Sequence, residues 1–289
     1  LEDSVSEIMN QNFKYENING NLNLAKENMK ISAIQHLPIL SETGQLIDLF
    51  IDDLDLYKIK KNSVLIMAGG QGKRLRPLTE ECPKPMLLIR DIPILEIILL
   101  NCIEEGFVDF YFSVFYLKEK IINYFGDGSK WGVKIKYLEE DKPLGTAGSL
   151  SLIKEDLQLP LIILNGDVLT KLNMNSLLDF HNYKDSLSTI CSRNYSINVP
   201  FGVIQSDNDE FISLQEKPTF DFQVNAGIYV INPELIKFIN KNEYLDMTEF
   251  IEYIYKKNKK IAVFPIHEYW LDVGIKESLD IARKEWQNN

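Results

Sequence analysis

One stretch constrains this chain more than any other. The apolar run from Ser63 to Met67 feeds directly into Ala68-Gly69-Gly70-Gln71-Gly72-Lys73-Arg74-Leu75-Arg76-Pro77-Leu78-Thr79, and Pro83-Lys84-Pro85-Met86 follows. The apolar run reads as a buried strand. Three glycines then remove side chains where a backbone could wrap a phosphate and aim its N–H groups at it. Lys73, Arg74, Arg76 and Lys84 supply the local positive charge that a polyphosphate needs. Lys84 sits between two prolines, which bias the backbone to an extended form and present the lysine at a fixed angle.

Two familiar glycine-rich loops do not fit. A Walker A loop would place Gly at position 67 and Ser or Thr at position 74, where this chain has Met67 and Arg74. A dinucleotide fingerprint starting at Gly70 would need Gly in place of Leu75. The cationic stretch is also local, because the 289-residue chain has a net charge of −11. That balance argues against a nucleic-acid groove or an anionic membrane surface, so a phosphate ligand must be met by a few nearby cations and a metal. Cys82, Cys102 and Cys191 are few, widely spaced and without zinc-ligand spacing. No apolar run reaches the roughly 20 residues of a membrane span and no signal peptide opens the chain, so a cytoplasmic location is expected.

From Ser63 onward strand and helix patterns alternate. Helices are expected at Pro93–Glu105, Lys118–Phe125, Ser149–Leu152, Pro233–Ile239, Thr248–Lys256 and Lys276–Trp286, and strands at Val108–Val114, Val133–Leu138 and Leu161–Leu164. The alternation predicts an α/β fold, a doubly wound and mostly parallel sheet, with ligands at the carboxyl ends of its strands. Asn165-Gly166-Asp167 ends one strand and Tyr269-Trp270-Leu271-Asp272 another. A carboxylate at such a place is costly unless it faces a cleft or a cation. Two neighbouring strands are expected around Gly202 and Leu214–Pro218, turning at Asp207–Glu210, and a further strand at Asn225–Val230. His36, His181 and His267 show no ligand spacing and read as packing or surface residues.

The pattern Gly-Gly-x-Gly-x-Arg-Leu-x-Pro-Leu-Thr with Pro-Lys-Pro beyond it resembles the signature of the sugar-1-phosphate nucleotidylyltransferases. The resemblance implies that Ala68, Gly69, Gly70, Gly72 and Arg74 bind a nucleoside triphosphate. It also implies that Leu144, Gly145, Thr146 and Gly148, within Leu-Gly-Thr-Ala-Gly, border the base. By the same resemblance, Arg74 and Lys84 are the catalytic cations and Asp167 and Asp272 hold Mg²⁺. Gly202, Glu216, Lys217, Asn225 and Gly227 then line the sugar-phosphate site. Mg²⁺ takes one or two carboxylates plus phosphate oxygens and water, which suits two aspartates.

Residues 1–57 precede this core and 58–62 read as a linker, leaving 63–289 as the nucleotidyltransferase domain. Short helices at Val5–Met9 and Asn23–Lys30 and two strands, His36–Leu40 and Leu46–Ile51, resemble a single CBS motif, a small α+β module that usually occurs in pairs. Either an upstream copy is absent from this chain or two chains supply one copy each. A homo-oligomer, dimer or higher, is therefore expected, with a nucleotide effector at this segment. The combination most resembles bacterial guanylyltransferases, which implies GTP as donor. Glucosamine-1-phosphate or N-acetylglucosamine-1-phosphate is the first expected acceptor, for surface-glycan or nonulosonic acid precursors, and mannose-1-phosphate or heptose-1-phosphate the next. A non-catalytic, nucleotide-sensing subunit is the competing reading.

Overall fold

The computed structural model describes residues 14–17, 36–51 and 59–286. The chain falls into two units, residues 1–58 and 59–289. In the first, β1 (Glu16–Asn17) lies parallel to β2 (His36–Leu40), which pairs antiparallel with β3 (Leu46–Ile51). The intervening turn is closed by the Ser41 amide donating to the Gln45 carbonyl at 2.8 Å. Both strands of the hairpin were expected. The two short helices lie outside the described residues.

The second unit is built on a seven-stranded sheet of order β15-β11-β14-β9-β4-β7-β8. Its strands are β4 (Lys60–Met67), β7 (Phe107–Val114), β8 (Lys134–Glu139), β9 (Leu161–Asn165), β11 (Ser188–Asn198), β14 (Thr219–Ile231) and β15 (Ile261–Ile266). Neighbours are parallel except where β14 runs against β11 and β9. The expected mostly parallel, doubly wound sheet is what forms. Successive residues of β4 show why: Val64 and Ile66 join the core on one face, Leu65 the core on the other, as the two-residue strand period requires.

One face is covered by α1 (Ile94–Glu104), α2 (Lys118–Phe125), α4 (Met174–Tyr183) and α6 (Lys276–Glu285). The other is covered by α5 (Met247–Lys256) and by the short α3 (Gly145–Gly148) with the 3₁₀ turn Ser149–Leu152. Two short pairs, β5 (Leu88–Ile89) with β6 (Ile92–Pro93) and β10 (Val168–Thr170) with β16 (Trp270–Asp272), flank the main sheet. A hairpin, β12 (Val203–Asp207) with β13 (Glu210–Gln215), completes the unit.

The structure differs from the sequence reading in six places. β4 begins at Lys60, because Lys60 already pairs with Phe107 and donates its amide to Gly106 at 2.8 Å, so part of the 58–62 stretch read as linker is strand. Ser149–Leu152 and Pro233–Phe238 wind as 3₁₀ turns rather than α-helices. Helix α4 and strands β11 and β15 were not expected at all. Asn173 caps α4 by accepting from the Ser176 amide at 2.7 Å, and Met174, Leu177, Leu178 and His181 fill its buried stripe.

Candidate active site

A cavity of about 530 Å³ opens where β4, β7, β8 and β9 end, lined among others by Met67, Ser113, Glu140 and Asn165. The glycine loop forms one wall. Leu75, buried, anchors it by donating its amide N–H to the Gly72 carbonyl at 2.9 Å. Thr79 donates its hydroxyl to the same carbonyl at 2.8 Å. Gly72 has φ +61, and a methyl group there would lie 2.9 Å from Thr79 Cγ2 and 3.0 Å from Lys84 Cβ. This glycine therefore lets the loop fold down on the lysine segment.

Lys84 is buried and its Nζ meets Asp167 Oδ2 in an ion pair. Pro83 is extended, as expected, but Lys84–Met86 then winds as a 3₁₀ turn, with the Leu87 amide donating to the Lys84 carbonyl at 3.1 Å. Asp167 arrives from the end of β9. The Gly166 amide donates to Met67 at 2.9 Å, and a side chain at Gly166 would collide with that carbonyl at 2.5 Å.

Asp272 is brought alongside by the short β10–β16 ladder, in which Val168 faces Asp272 and the Val273 amide donates to the Asp167 carbonyl at 2.8 Å. Burial pushes the Asp272 carboxyl up and the charge of Asp167 pushes it further, against the pull of Lys84 and Arg74. Its Oδ1 is buried without a hydrogen-bond partner. Arg74 closes the group: a methyl at Gly274 would lie 3.0 Å from Arg74 Nη2 and 2.6 Å from Asp272 Oδ1. Two carboxylates, one with an unsatisfied oxygen, fit a small hard dication better than they fit each other.

Of the residues singled out by sequence, Gly69, Gly70, Gly72, Arg74, Lys84, Gly145, Thr146 and Asp167 line the cavity. Ala68, Leu144, Gly148, Asn225, Gly227 and Asp272 are not among its lining residues. Ala68 and Leu144 are buried beneath it, and Gly148 is pressed against the Glu243 carbonyl, where a side chain would come within 2.5 Å. Thr146 turns its hydroxyl to the start of α5, accepting from the Met247 amide at 2.8 Å, so that group docks a helix. Gly227, at φ +71, abuts Asn165 on the cavity wall, and Asn225 accepts from the Gly227 amide at 3.0 Å. Gly202, Glu216 and Lys217 lie outside the lining, on and beside the β12–β13 hairpin, where the Glu216 carboxylate comes close to Gly202.

Glu140 escaped the sequence reading. It is buried, Ser113 donates its hydroxyl to Oε1 at 2.5 Å, and the Leu144 amide donates to Oε2 at 2.8 Å. Burial raises its carboxyl, against those two hydrogen bonds. The signal was its place four residues before Leu144, in the same strand-to-helix loop. Phe115, Pro143 and Tyr244 add flat apolar surface to the cavity, and nothing local in sequence marks Tyr244. Cys82 is half-buried, and burial raises its thiol, partly offset by Lys120, which makes it a poor nucleophile.

The second unit thus joins a doubly wound α/β sheet, a cation-bearing glycine loop and two adjacent carboxylates near the ends of its strands. The chain belongs to the nucleotidyl transferase family, whose model matches residues 63–288. It is 34% identical over 220 residues to a mannose-1-phosphate guanyltransferase of Pichia angusta, covering 73% of this chain and 60% of that one. It is 32% identical over 202 residues to a UTP–glucose-1-phosphate uridylyltransferase of Synechocystis, covering 63% and 52%. The chain thus spans about half to three fifths of these relatives' lengths. Among solved structures, HddC from Yersinia pseudotuberculosis superposes with a TM-score of 0.63 at 24% identity, covering 78% of this chain and all of that one.

Proposed function

We propose that this chain joins a nucleoside triphosphate to a sugar-1-phosphate, giving a nucleotide-sugar and pyrophosphate. The observation that carries the reading is the convergence of Arg74, Lys84 and Asp167 on one cavity walled by the glycine loop, with Asp272 held beside Asp167. The sugar phosphate oxygen is already an anionic nucleophile, so no general base is needed. It forms a bond to the α-phosphorus as the bond from that phosphorus to the bridging oxygen breaks and pyrophosphate leaves. The difficulty is assembling negative charge in line, which preorganised cations and N–H groups relieve.

In this reading the loop amides and Arg74 hold the triphosphate and balance the charge that builds on pyrophosphate. Lys84 neutralises charge at the α-phosphorus. Lys217 reaches the sugar phosphate and Glu216 its hydroxyls, which requires the hairpin to close toward the cavity once substrate is present. Asp167 and Asp272 would hold Mg²⁺, which supplies charge neutralisation between the two substrates' phosphates.

Glu140 favours guanine. Guanine presents adjacent N–H groups, from its ring nitrogen and its amino group, to a carboxylate that can only accept, whereas uracil and thymine flank their single ring N–H with two carbonyls that repel it. GTP is therefore the proposed donor, in keeping with the guanyltransferase name of the Pichia relative. Acceptors to be separated are glucosamine-1-phosphate, N-acetylglucosamine-1-phosphate, mannose-1-phosphate and heptose-1-phosphate. The segment before residue 58 is read as a CBS-like effector site for a nucleotide, and the protein as cytoplasmic. No helix among the described residues is long and apolar enough to cross a membrane.

A pyrophosphate-release assay over four nucleoside triphosphates and this panel of sugar phosphates tests the proposal. Magnesium-dependent release is expected, fastest with GTP. Absence of release with every pair would refute catalysis and favour a non-catalytic sensing subunit.

A further inference from the structure

Tyr244 lines the cavity together with Gly145 and Thr146. It is 60% exposed, so burial within the chain does not explain an aromatic ring at this place. The segment that carries it is nonetheless fixed. The Leu245 amide donates to the Leu144 carbonyl at 2.9 Å, and the Leu245 carbonyl accepts from the Ala147 and Gly148 amides at 2.9 and 3.0 Å. Asp246 then holds both sides. Its Oδ1 accepts from the Thr146 amide at 3.2 Å and its Oδ2 from the Tyr244 hydroxyl at 2.8 Å. The ring is thus tied at its hydroxyl edge while most of its surface stays open.

The same carboxylate links this wall to β14. Burial raises the Tyr229 phenol and the charge of Asp246 adds to the rise, against the hydrogen bond that Asn225 Nδ2 donates to it at 2.6 Å. Asn225 in turn accepts from the Gly227 amide, and Gly227 abuts Asn165 on the cavity wall. Tyr244 is therefore joined, through Asp246 and Tyr229, to the strand segment Asn225–Gly227 as well as to the Leu144–Gly148 loop.

We propose that Tyr244 is the platform on which the acceptor's sugar ring lies, and that it selects hexose-1-phosphates of gluco configuration over those of manno configuration. The inference rests on the nucleotidyl-transfer reading above, in which Glu140 takes the base and Arg74, Lys84 and Asp167 the phosphates. It seats the sugar ring, the part of the substrates that those groups leave without an apolar surface. The selectivity is stereochemical. An aromatic face is electron-rich and attracts polarised C–H groups. In the chair of an α-linked sugar-1-phosphate the phosphate stands axial on one face, so a platform takes the other. A gluco ring presents axial C–H groups there, at carbons 2 and 4. A manno ring instead turns its carbon 2 hydroxyl axial on that face, which lifts the ring away and leaves a hydroxyl against an apolar surface.

The test uses the full-length chain and two readouts. With GTP in steady state, the wild-type chain should favour glucosamine-1-phosphate over mannose-1-phosphate in kcat/KM. Tyr244→Ala should cut that preference by about 10-fold, the scale of one lost apolar contact, through the KM for glucosamine-1-phosphate and with the KM for GTP unchanged. Tyr244→Phe keeps the ring and loses only the bond to Asp246, so it should stay within about 3-fold of wild type. A preference in Tyr244→Ala equal to wild type, or a loss shared equally by the two sugars, overturns the proposal, as does a wild-type preference for mannose-1-phosphate. The second readout needs no turnover. In Tyr244→Trp, glucosamine-1-phosphate added with Mg²⁺ and a non-hydrolysable GTP analogue should change the indole fluorescence beyond any change in the wild-type chain. Mannose-1-phosphate should do so only at about 10-fold higher concentration. A response identical to wild type with both sugars overturns the proposal. If no pair of substrates releases pyrophosphate, the nucleotidyl-transfer reading fails, while this binding signal still decides the role of Tyr244.

Discussion

The amide of Val273 donates to the carbonyl of Asp167 at 2.8 Å, and with Val168 facing Asp272 this sets two distant carboxylates side by side. The Asp272 carboxyl is raised by burial first and by Asp167 second, so the pair is strained as two anions and relieved by a cation. Asp167→Asn and Asp272→Asn should each lower turnover by about 100-fold or more. Without metal, the unfolding temperature of Asp272→Asn should stay level or rise, because one of two like charges is gone, whereas that of Asp167→Asn should fall, because the buried Lys84 loses its partner. A turnover within a few-fold of wild type in either variant would remove that aspartate from the proposed site.

Lys84 is the buried cation paired with Asp167. Lys84→Ala should cost about 100-fold in turnover, the usual scale for one preorganised charge contact. Because the alanine leaves Asp167 without its ammonium, the two carboxylates lose a competing cation and the variant should need less Mg²⁺ for half-maximal rate. A magnesium titration of both proteins measures this, and superimposable curves would show that the lysine does not share the carboxylates' charge.

Glu140→Gln keeps the shape of the side chain and replaces an acceptor with a donor. The amide oxygen can keep the Leu144 N–H bond, and the Ser113 hydroxyl can turn to accept from the amide nitrogen. Preference should shift from GTP toward UTP or dTTP by about 10-fold or more in kcat/KM ratio, one hydrogen bond's difference or greater. An unchanged ratio would place the base elsewhere in the cavity.

Gly145 and Gly70 should separate packing from binding. Gly145 has φ +74, and a methyl there would lie 2.6 Å from the Leu245 carbonyl, while a methyl at Gly70 meets nothing within 4 Å. Gly145→Ala should lose about 1–3 kcal/mol of stability. Gly70→Ala should stay within ~0.5 kcal/mol and raise the KM for nucleotide, since its methyl would occupy the wall where phosphate is proposed to lie. Urea unfolding and steady-state kinetics on the two variants report the contrast.

His181 is buried, with Nδ1 beside Thr189 Oγ1 at 2.8 Å and Nε2 beside Asn232 Oδ1 at 3.1 Å. Burial lowers its basicity, with the Asn232 contact pulling the other way. The unfolded chain therefore takes up the proton first as pH falls below about 6.5. The contribution of His181 to stability is full above that value and is lost as pH drops toward the folded-state value. Comparing urea midpoints at about pH 7.5 and pH 5.5, the wild-type chain should lose more stability than His181→Gln. Equal losses would show that this histidine is not buried neutral.

Legibility followed the range of the interactions. The glycine loop, the Asp167 strand end and the β12–β13 hairpin were readable because each depends on residues a few positions apart: apolar runs, glycines and a turn at Asp207–Glu210. Helix α4 was missed although Asn173 is a sound cap, because its stripe is short and interrupted by Asn175, Ser176 and Asp179. The segment Leu144–Gly148 was read as bordering the base, and no local pattern showed that the Thr146 hydroxyl also holds the start of α5, 101 residues onward.

The sequence by itself determined the chemistry on offer. Ser63–Met67 with three glycines, Arg74 and Lys84 reads as a strand that ends in a cationic glycine loop. Only the tertiary structure decided which carboxylates meet those cations. Asp272 reaches Asp167 through the three-residue β10–β16 ladder, which joins segments a hundred residues apart, and Glu140 faces the cavity where Ser113 on a neighbouring strand holds it. The reason is physical. Backbone conformation follows from neighbours in sequence, but burial, charge pairing and the lifting of a carboxyl's pKa depend on what the fold packs around a group.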